Sequence, residues 1–263
     1  MHRIIPFLAL ALLILLCCST SAQRISYSIT DADPEKYTGF LHGTFTTDVN
    51  GLYLVGLNLG VRSEVFIANT PVTARTIVNV GVVRAGINTD FSQQEVKRLR
   101  EIDLGVSYKL LGSSSPRKAR MRVILSNDGT TEKYLRGIEG KKLRDVAARA
   151  SFYHFGAFEM RTTGLTYGIS LRNRKHTQIE LVNDSDYYYE TYRFRQIYAD
   201  FIFTPRANNP AVEDSGDIKR LGYRAGFVNN YGKASITVEV SLRPGHNQLL
   251  PFFSAIYGFG GRW

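Results

Sequence analysis

A period of two in side-chain polarity runs through most of this chain. In EIDLGVSYKLLG, every second residue from Ile102 to Leu110 is apolar, and the residues between them are polar or glycine. The same alternation recurs in GLTYGISLRN (164–173), ASITVEVSLR (234–243) and FFSAIYGFGGRW (252–263). Successive side chains of a β-strand point to opposite faces, so the pattern predicts an all-β fold whose strands each have one apolar and one polar face.

The N-terminal residues have the layout of a secretory signal peptide. A short basic start ending at Arg3 is followed by an apolar run over residues 4–18 and by small, polar residues up to Ala22. The apolar run is shorter than the roughly 20 residues that a membrane-spanning helix needs. We therefore expect residues 1–22 to be removed as a signal peptide and the rest of the chain to be exported.

Both cysteines, Cys17 and Cys18, lie inside this leader. Cleavage after Ala22 would leave a mature chain without a thiol, which excludes disulfides, zinc–thiolate sites and a cysteine nucleophile. The alternative processing is attachment of a lipid to Cys18, although Cys17 occupies the position before it where lipoprotein signals have a small residue.

The chain is basic, with 33 Lys and Arg against 23 Asp and Glu. A positive balance favours anionic partners. The charges are scattered through the chain, and an exported protein meets little nucleic acid, so nucleic acid is not an expected partner. Phosphorylated surface lipid and small anions are the expected ones.

Three features favour hydrocarbon outside the apolar strand faces. The alternating segments run to about 9–11 residues, the length that a tilted strand needs to cross a bilayer. The chain ends on Trp263, in phase with the apolar face of its last segment. Aromatic residues also gather near segment ends, where interfacial girdles are expected; the densest group is Tyr187, Tyr188, Tyr189, Tyr192 and Phe194.

These features predict a transmembrane antiparallel up-and-down β-barrel over residues 37–263, after an N-terminal segment 23–36. Hydrocarbon offers no hydrogen-bond partner to a strand edge, so the sheet must close. We expect about twelve strands, with ten as the alternative and with RISYSIT (24–30) as an additional pairing segment. The twelve expected strands are 37–47, 51–62, 73–85, 101–111, 119–127, 151–162, 164–173, 176–183, 190–203, 219–229, 233–243 and 252–263.

The three longest expected connections are 86–100, 128–150 and 204–218. Bacterial barrels have long outer loops and short inner turns, so all three are expected on the outer side. Connection 128–150 is basic and has apolar residues at roughly helical spacing, which indicates a short outer helix. We expect a solvated segment with ordinary basic content, with contact to lipid phosphates as the alternative.

The chain resembles bacterial outer-membrane β-barrel proteins in its leader, its two-faced strands and its aromatic C-terminal strand. The resemblance covers residues 37–263 as a pattern and includes no subfamily motif. It implies location in the bacterial outer membrane and insertion by the barrel-assembly machinery, with Tyr257, Phe259 and Trp263 as the C-terminal assembly signal. It implies no particular activity.

The polar strand faces are expected to line the barrel interior. The expected basic lining is Lys109, Arg120, Arg122, Arg172, Arg220, Arg224 and Arg243, and the expected acidic lining is Asp103, Asp200 and Glu239. A net positive interior predicts a narrow, porin-like pore that transports small anions. The alternative is an interior filled by ion pairs, and thus a non-conducting structural barrel or an assembly or secretion partner.

The sequence gives no sign of an enzyme. No serine lies in a G-x-S-x-G motif, and the mature histidines, His42, His154, His176 and His246, lack persuasive catalytic or metal-ligand spacing. No catalytic residue, metal site or cofactor is therefore expected.

Overall fold

A computed structural model describes residues 26–50, 54–67, 69–85, 96–113, 115–127, 132–157, 160–182, 184–208, 220–244 and 252–263. These residues form twelve antiparallel strands. The expected signal peptide lies outside the described residues. The strands are β1 (Tyr27–Asp31), β2 (Gly39–Asn50), β3 (Leu54–Phe66), β4 (Val72–Ala85), β5 (Val96–Gly112), β6 (Arg117–Asn127), β7 (Glu132–Ala157), β8 (Met160–Leu181), β9 (Asp184–Asn208), β10 (Leu221–Tyr231), β11 (Ala234–Leu242) and β12 (Phe252–Arg262).

Ten of these strands close into an up-and-down barrel, which confirms the predicted fold class. Around the ring the order is β2, β3, β4, β5, β7, β8, β9, β10, β11, β12. The ring closes because β12 pairs with β2, from Phe252 opposite Asn50 to Arg262 opposite Phe40. Strands β1 and β6 pair with β8 and β7 but lie outside the ring. The pairing of β1 confirms the expected additional segment near 24–30.

The barrel has two unlike ends. Strand β2 begins and β12 ends at one of them, which we call the terminal end. The opposite end, the loop end, has the connections after β4, β9 and β11, which occupy 86–95, 209–220 and 243–251. These are the longest connections between the strands, and the expected connections 86–100 and 204–218 correspond to the first two.

Strands β7, β8 and β9 have 26, 22 and 25 residues and continue past the barrel at the terminal end. There, β6 pairs with the first part of β7, and β1 pairs with the last part of β8. Val123 of β6, Ile138 of β7 and Ile179 of β8 form a second core there. We call this part, formed by β1, β6 and the outer parts of β7, β8 and β9, the terminal-end extension.

The expected outer loop and helix at 128–150 are wrong. Residues 132–150 belong to β7, and the β6–β7 connection lies at the terminal end. Gly137 has a φ of 75° and is the extra residue of a β-bulge, since Arg136 and Ile138 pair with the adjacent residues Arg122 and Met121. The bulge places Leu135 and Ile138 in the same core although they are three residues apart. Apolar residues at this spacing in a bulged strand give the same sequence pattern as one face of a helix.

The division of β8 into two expected strands, 164–173 and 176–183, is also wrong, because the strand is continuous. The expected strand 151–162 joins the end of β7 to the start of β8.

The distribution of polarity in the barrel is inverted relative to a water-soluble protein. On β8, Leu165, Tyr167, Ile169 and Leu171 are 44–59% exposed on the outer face. The inward residues Thr166 and Ser170 between them are buried, and Arg172 is only 3% exposed. The predicted alternation of apolar outer and polar inner faces is therefore confirmed for the barrel. Within the described residues, no helix is long and apolar enough to cross a membrane.

Candidate functional site

The barrel interior is bridged near its middle by a cluster of three arginines and two aspartates. Arg224 on β10 donates to Asp103 and, at 2.9 Å, to Asp200 Oδ2. Arg75 donates to Asp103 Oδ1 at 3.1 Å, and Arg149 donates to Asp200 Oδ2 at 3.1 Å. All five side chains are buried, with 0–4% of each residue exposed. We call these five residues the interior cluster.

The interior cluster joins opposite walls of the barrel. Asp103 lies on β5 and Arg224 on β10, four strands apart around the ten-stranded ring. Arg75 on β4 also approaches Asp200 on β9, with Nη1 4.0 Å from Oδ2, across the same number of strands. Since the ring has ten strands, these contacts cross nearly the full width of the interior.

Further polar contacts cross the interior above and below the cluster. Arg62 Nη1 donates to Thr237 Oγ1 at 2.9 Å, and Arg172 Nη1 donates to Thr73 Oγ1 at 2.8 Å. Each of these two contacts joins strands three apart around the ring. Arg172 is also paired with the buried Asp145. The arginines are thus fixed by partners on several strands.

Buried charges of the two signs are equal in number in the described barrel. Seven arginines and seven carboxylates are buried: Arg62, Arg75, Arg149, Arg172, Arg174, Arg224, Arg243, and Asp48, Glu64, Glu101, Asp103, Asp145, Asp200, Glu239. The buried side chains are therefore balanced in formal charge, and the expected net positive interior stays a prediction. Sequence reasoning missed four of these carboxylates, Asp48, Glu64, Glu101 and Asp145, because each has a polar residue on one side and an apolar residue on the other, which weakens the alternation.

Six of the ten predicted lining residues are buried inside the barrel. Arg243 lies 3.3 Å from Asp48 Oδ1, and Glu239 accepts a hydrogen bond from Tyr198. The other four are Asp103, Asp200 and Arg224 of the interior cluster, and Arg172, which is paired with Asp145.

Three other predicted lining residues do not lie in the interior. Arg120 and Arg122 are exposed on β6, which is not a strand of the ring, so they cannot line the barrel. Arg122 stacks on Tyr134, with its guanidinium carbon 3.7 Å from the ring centre. Arg220 is exposed at the loop end, just before β10. Arg120 and Arg122 were predicted to line the barrel because polar and apolar residues alternate along β6. The same alternation occurs in any strand with two different faces, whether or not it belongs to the ring.

Lys109, the remaining predicted residue, lines a cavity of about 460 Å³ at the terminal end. Arg172, Arg174, Glu35 and Phe66 also line it. Arg174 Nη2 donates to Glu35 Oε1 at 3.2 Å, whereas the Lys109 side chain has no hydrogen bond or ion pair with a described residue. The cavity is thus a partly cationic recess in the terminal end.

Residues 32–38, which connect β1 to β2, contact several residues of this end. The backbone N–H of Asp33 donates to His176 Nδ1 at 2.9 Å, so the neutral imidazole has its proton on Nε2. His176 Nε2 lies 2.7 Å from Glu190 Oε1, and the Tyr37 hydroxyl donates to Glu190 Oε2 at 2.5 Å. We call residues 32–38 the strap.

Glu190 lies on β9 beyond the barrel. Partial burial acts to raise its pKa, but the hydrogen bonds from His176 and Tyr37 and the charges of Arg262 and Lys36 lower the pKa to about 2. Burial and the hydrogen bond to Glu190 raise the pKa of Tyr37 to about 12. Glu190 is thus ionised and Tyr37 neutral over the whole physiological range.

An aromatic cluster lies next to the strap at the terminal end of the barrel. Phe40, Tyr192 and Phe194 are 0–2% exposed, and Tyr37 and Phe66 pack against them. The expected placement of Tyr192 and Phe194 in an outer girdle is therefore wrong, because they share the inward face of β9. Tyr188 is 60% exposed, but it pairs with Glu180 in the terminal-end extension, beyond the barrel. The side chain of Tyr187 lies outside the part of the chain that the structure describes.

The residues of the expected assembly signal lie on the outer barrel surface. Tyr257, Phe259 and Trp263 are 49%, 74% and 50% exposed. The Trp263 backbone pairs with Gly39, at the start of β2. Their role as an assembly signal stays a prediction.

The histidines lie apart from one another. His42 is buried in the interior, and His154 Nδ1 lies 2.9 Å from Thr163 Oγ1. His246 lies outside the described residues. Among the residues that the structure describes, no group of three His, Cys, Asp or Glu side chains could hold a metal ion.

Comparisons with known proteins give little beyond this geometry. No protein-family model and no curated protein matches the chain. Among solved structures, the chain has a weak similarity to the crystal structure of OccD3 (OpdP) from Pseudomonas aeruginosa, with 8% sequence identity and a TM-score of 0.20. The match covers 89% of this chain and 93% of that one. No inference about this chain depends on it.

Proposed function

We propose that the protein is exported to a bacterial outer membrane, where its barrel spans the bilayer without conducting and anchors the terminal-end extension for contacts with other envelope proteins. We place the terminal end of the barrel in the periplasm and the loop end on the outer side of the membrane. The distribution of long connections supports this orientation.

The inverted polarity of the barrel supports the membrane location. Large apolar side chains such as Phe201, 75% exposed, and Phe259, 74% exposed, cover the outer surface of several strands. Soluble monomers rarely expose apolar patches larger than a few hundred Å². A closed ring leaves no unpaired strand edge in the hydrocarbon.

The observation on which the non-conducting role depends is the interior cluster. A hydrated channel leaves its lining side chains accessible to water, yet Asp103 is 0% and Arg224 2% exposed. Their contact also joins strands on nearly opposite walls. A filled, ion-paired interior is the arrangement expected of a narrow barrel without a through-channel.

Two measurements test the proposal. The protein should need detergent to stay dissolved after extraction from membranes. It should then produce no steady conductance in planar lipid bilayers. A monomer that stays dissolved without detergent would contradict the membrane location, and stable single-channel steps would contradict the non-conducting role.

A second candidate function is the narrow anion pore. The cationic recess lined by Lys109, Arg172 and Arg174 favours it, because it would attract small anions at the periplasmic end. Its test is an anion-selective conductance that Lys109→Glu weakens or reverses. Arg122→Glu serves as the matched control, since Arg122 lies on β6 outside the ring.

A further inference from the structure

The strand register aligns residues of β7, β8, β9 and β10 in rows around the outer surface near the terminal end. One row consists of Val146, Leu171, Ile197 and Phe227, which are paired in this order across the four strands. All four residues are apolar, and Leu171 and Ile197 are 50% and 57% exposed. This row ends the apolar surface on these strands.

The next two rows toward the terminal end change character at once. They contain five cations, one aromatic residue and two amides, with no carboxylate. The first row is Arg144, Asn173, Arg195 and Asn229, and the second is Lys142, Lys175, Arg193 and Tyr231. Since side chains two residues apart on a strand share a face, these eight point outward, as Leu171 and Ile197 do. We call the two rows the cationic belt.

Like charges in the belt lie directly opposite one another. Lys175 on β8 is paired with Lys142 on one side and with Arg193 on the other. Directly opposed like charges destabilise a sheet. None of the five cations forms an ion pair with a residue of the described chain, although Arg193 and Arg195 each donate to Asn229 Oδ1 at 3.1 Å. An anion placed between the strands would offset this repulsion.

We propose that the cationic belt binds the headgroup phosphates of anionic phospholipids in the membrane leaflet at the terminal end. This inference rests on the proposed membrane location. Acyl chains that cover Leu171 and Ile197 would bring their phosphates to the level of the belt. Neighbouring strands are about 4.8 Å apart, so one phosphate can contact cations from two strands. Tyr231, stacked near Arg193 with its ring centre 5.9 Å from the guanidinium carbon, suits the same interface.

A phospholipid fits the cationic belt by its position as well as by its charge. An acidic protein or a free anion would also be attracted by five cations. Neither explains why the change from apolar to polar occurs at the same register step on all four strands, with cations on β7, β8 and β9. A lipid, which has an apolar tail joined to a phosphate, matches both rows.

The test measures lipid selectivity at the protein surface. The protein is purified from membranes in detergent and reconstituted in phosphatidylcholine vesicles with trace spin-labelled phosphatidylglycerol or spin-labelled phosphatidylcholine. Electron paramagnetic resonance then gives the relative association constant of the two lipids. We expect phosphatidylglycerol to be preferred by about fivefold or more, because each cation near an anionic surface contributes about that factor.

The variant K142Q/K175Q/R193Q, which leaves Arg144 and Arg195 in the belt, should reduce the preference at least threefold. Its matched control, K118Q/R120Q/R136Q, removes three cations from exposed positions of β6 and the first part of β7, none of them opposite a belt residue, and should keep the preference. If the triple belt variant does not fold, Lys175→Gln alone should lower the preference at least twofold. Equal loss in belt and control variants would overturn the assignment.

Two further measurements distinguish a wrong assignment of the belt from a wrong membrane location. Inorganic phosphate should displace the labelled lipid no better than sodium chloride at equal ionic strength, and stronger displacement would overturn the lipid assignment in favour of a general anion site. A wild-type protein that inserts but shows no lipid preference would refute the belt alone. A protein that stays in the aqueous fraction would refute the membrane location itself.

Discussion

Replacement of Arg224 by Met tests whether the barrel interior is dry and ion-paired. Arg224 is 2% exposed and donates to both Asp103 and Asp200. Met keeps a long, unbranched side chain but removes the charge and every donor. The substitution therefore leaves two buried carboxylates with only Arg75 and Arg149 as cationic partners in the cluster.

The expected cost follows from burial. Removing one partner of a buried ion pair typically destabilises a protein by about 3–5 kcal/mol, because the remaining charge has lost its compensation. Two arginines still contact the two aspartates, so we expect the lower end, about 3 kcal/mol. With a urea dependence of about 2–3 kcal/mol per molar, the unfolding midpoint should fall by about 1 M or more.

The assay is urea unfolding of the reconstituted barrel, followed by the fluorescence of Trp263 and by circular dichroism. Arg220→Met is the matched control, since Arg220 is exposed just before the same strand and should cost less than about 1 kcal/mol. A double-mutant cycle with Asp103→Asn should give a coupling of about 0.5–3 kcal/mol. Equal midpoints for Arg224→Met, Arg220→Met and the wild type would refute a dry, ion-paired interior.

Three other predictions test different parts of the molecule. Glu190 has a folded-state pKa of about 2, below its ordinary value of 4.5, so its contribution to stability is present above pH 4.5 and is lost as the pH falls toward 2; unfolding midpoints measured over that range should fall less steeply for Glu190→Gln. A Cβ at Gly81 would overlap atoms of the neighbouring strand β3, whereas nothing lies within 4 Å of a Cβ at Gly261, so Gly81→Val should cost about 1–3 kcal/mol in urea unfolding and Gly261→Val much less. Ile169→Arg should cost about 2–4 kcal/mol in lipid vesicles if the outer face meets hydrocarbon, while Val182→Arg, at an exposed turn of the extension, should be nearly neutral; equal costs would contradict the membrane boundary.

The barrel and the direction of its faces could be predicted because the signal is local. On β5, Asp103 is inward and Leu104 outward, as the alternation requires. The alternation assigns each side chain to one of two faces without reference to any other strand. The physical requirement that a spanning sheet must close supplies the rest of the architecture.

The interior cluster could not be predicted because its partners are set by the closure of the ring. Asp103 and Arg224 are 121 residues apart in sequence and meet only across the barrel. Alternation identifies both as inward residues but gives no depth along the axis and no partner. The same limit explains Arg120 and Arg122, which have the polarity of inward residues on a strand that joins no ring.

The long strands β7, β8 and β9 add a mechanical argument for the proposed anchor. Crossing the hydrocarbon takes about 9–11 residues, so strands of 22–26 residues have many to spare. These spare residues project at the terminal end and pack around Val123, Ile138 and Ile179. Because the strands continue unbroken from barrel to extension, the extension keeps its orientation relative to the barrel. In the proposed anchor, the contacts of Arg224 across the interior would resist deformation of the barrel and thereby keep the extension fixed relative to the bilayer.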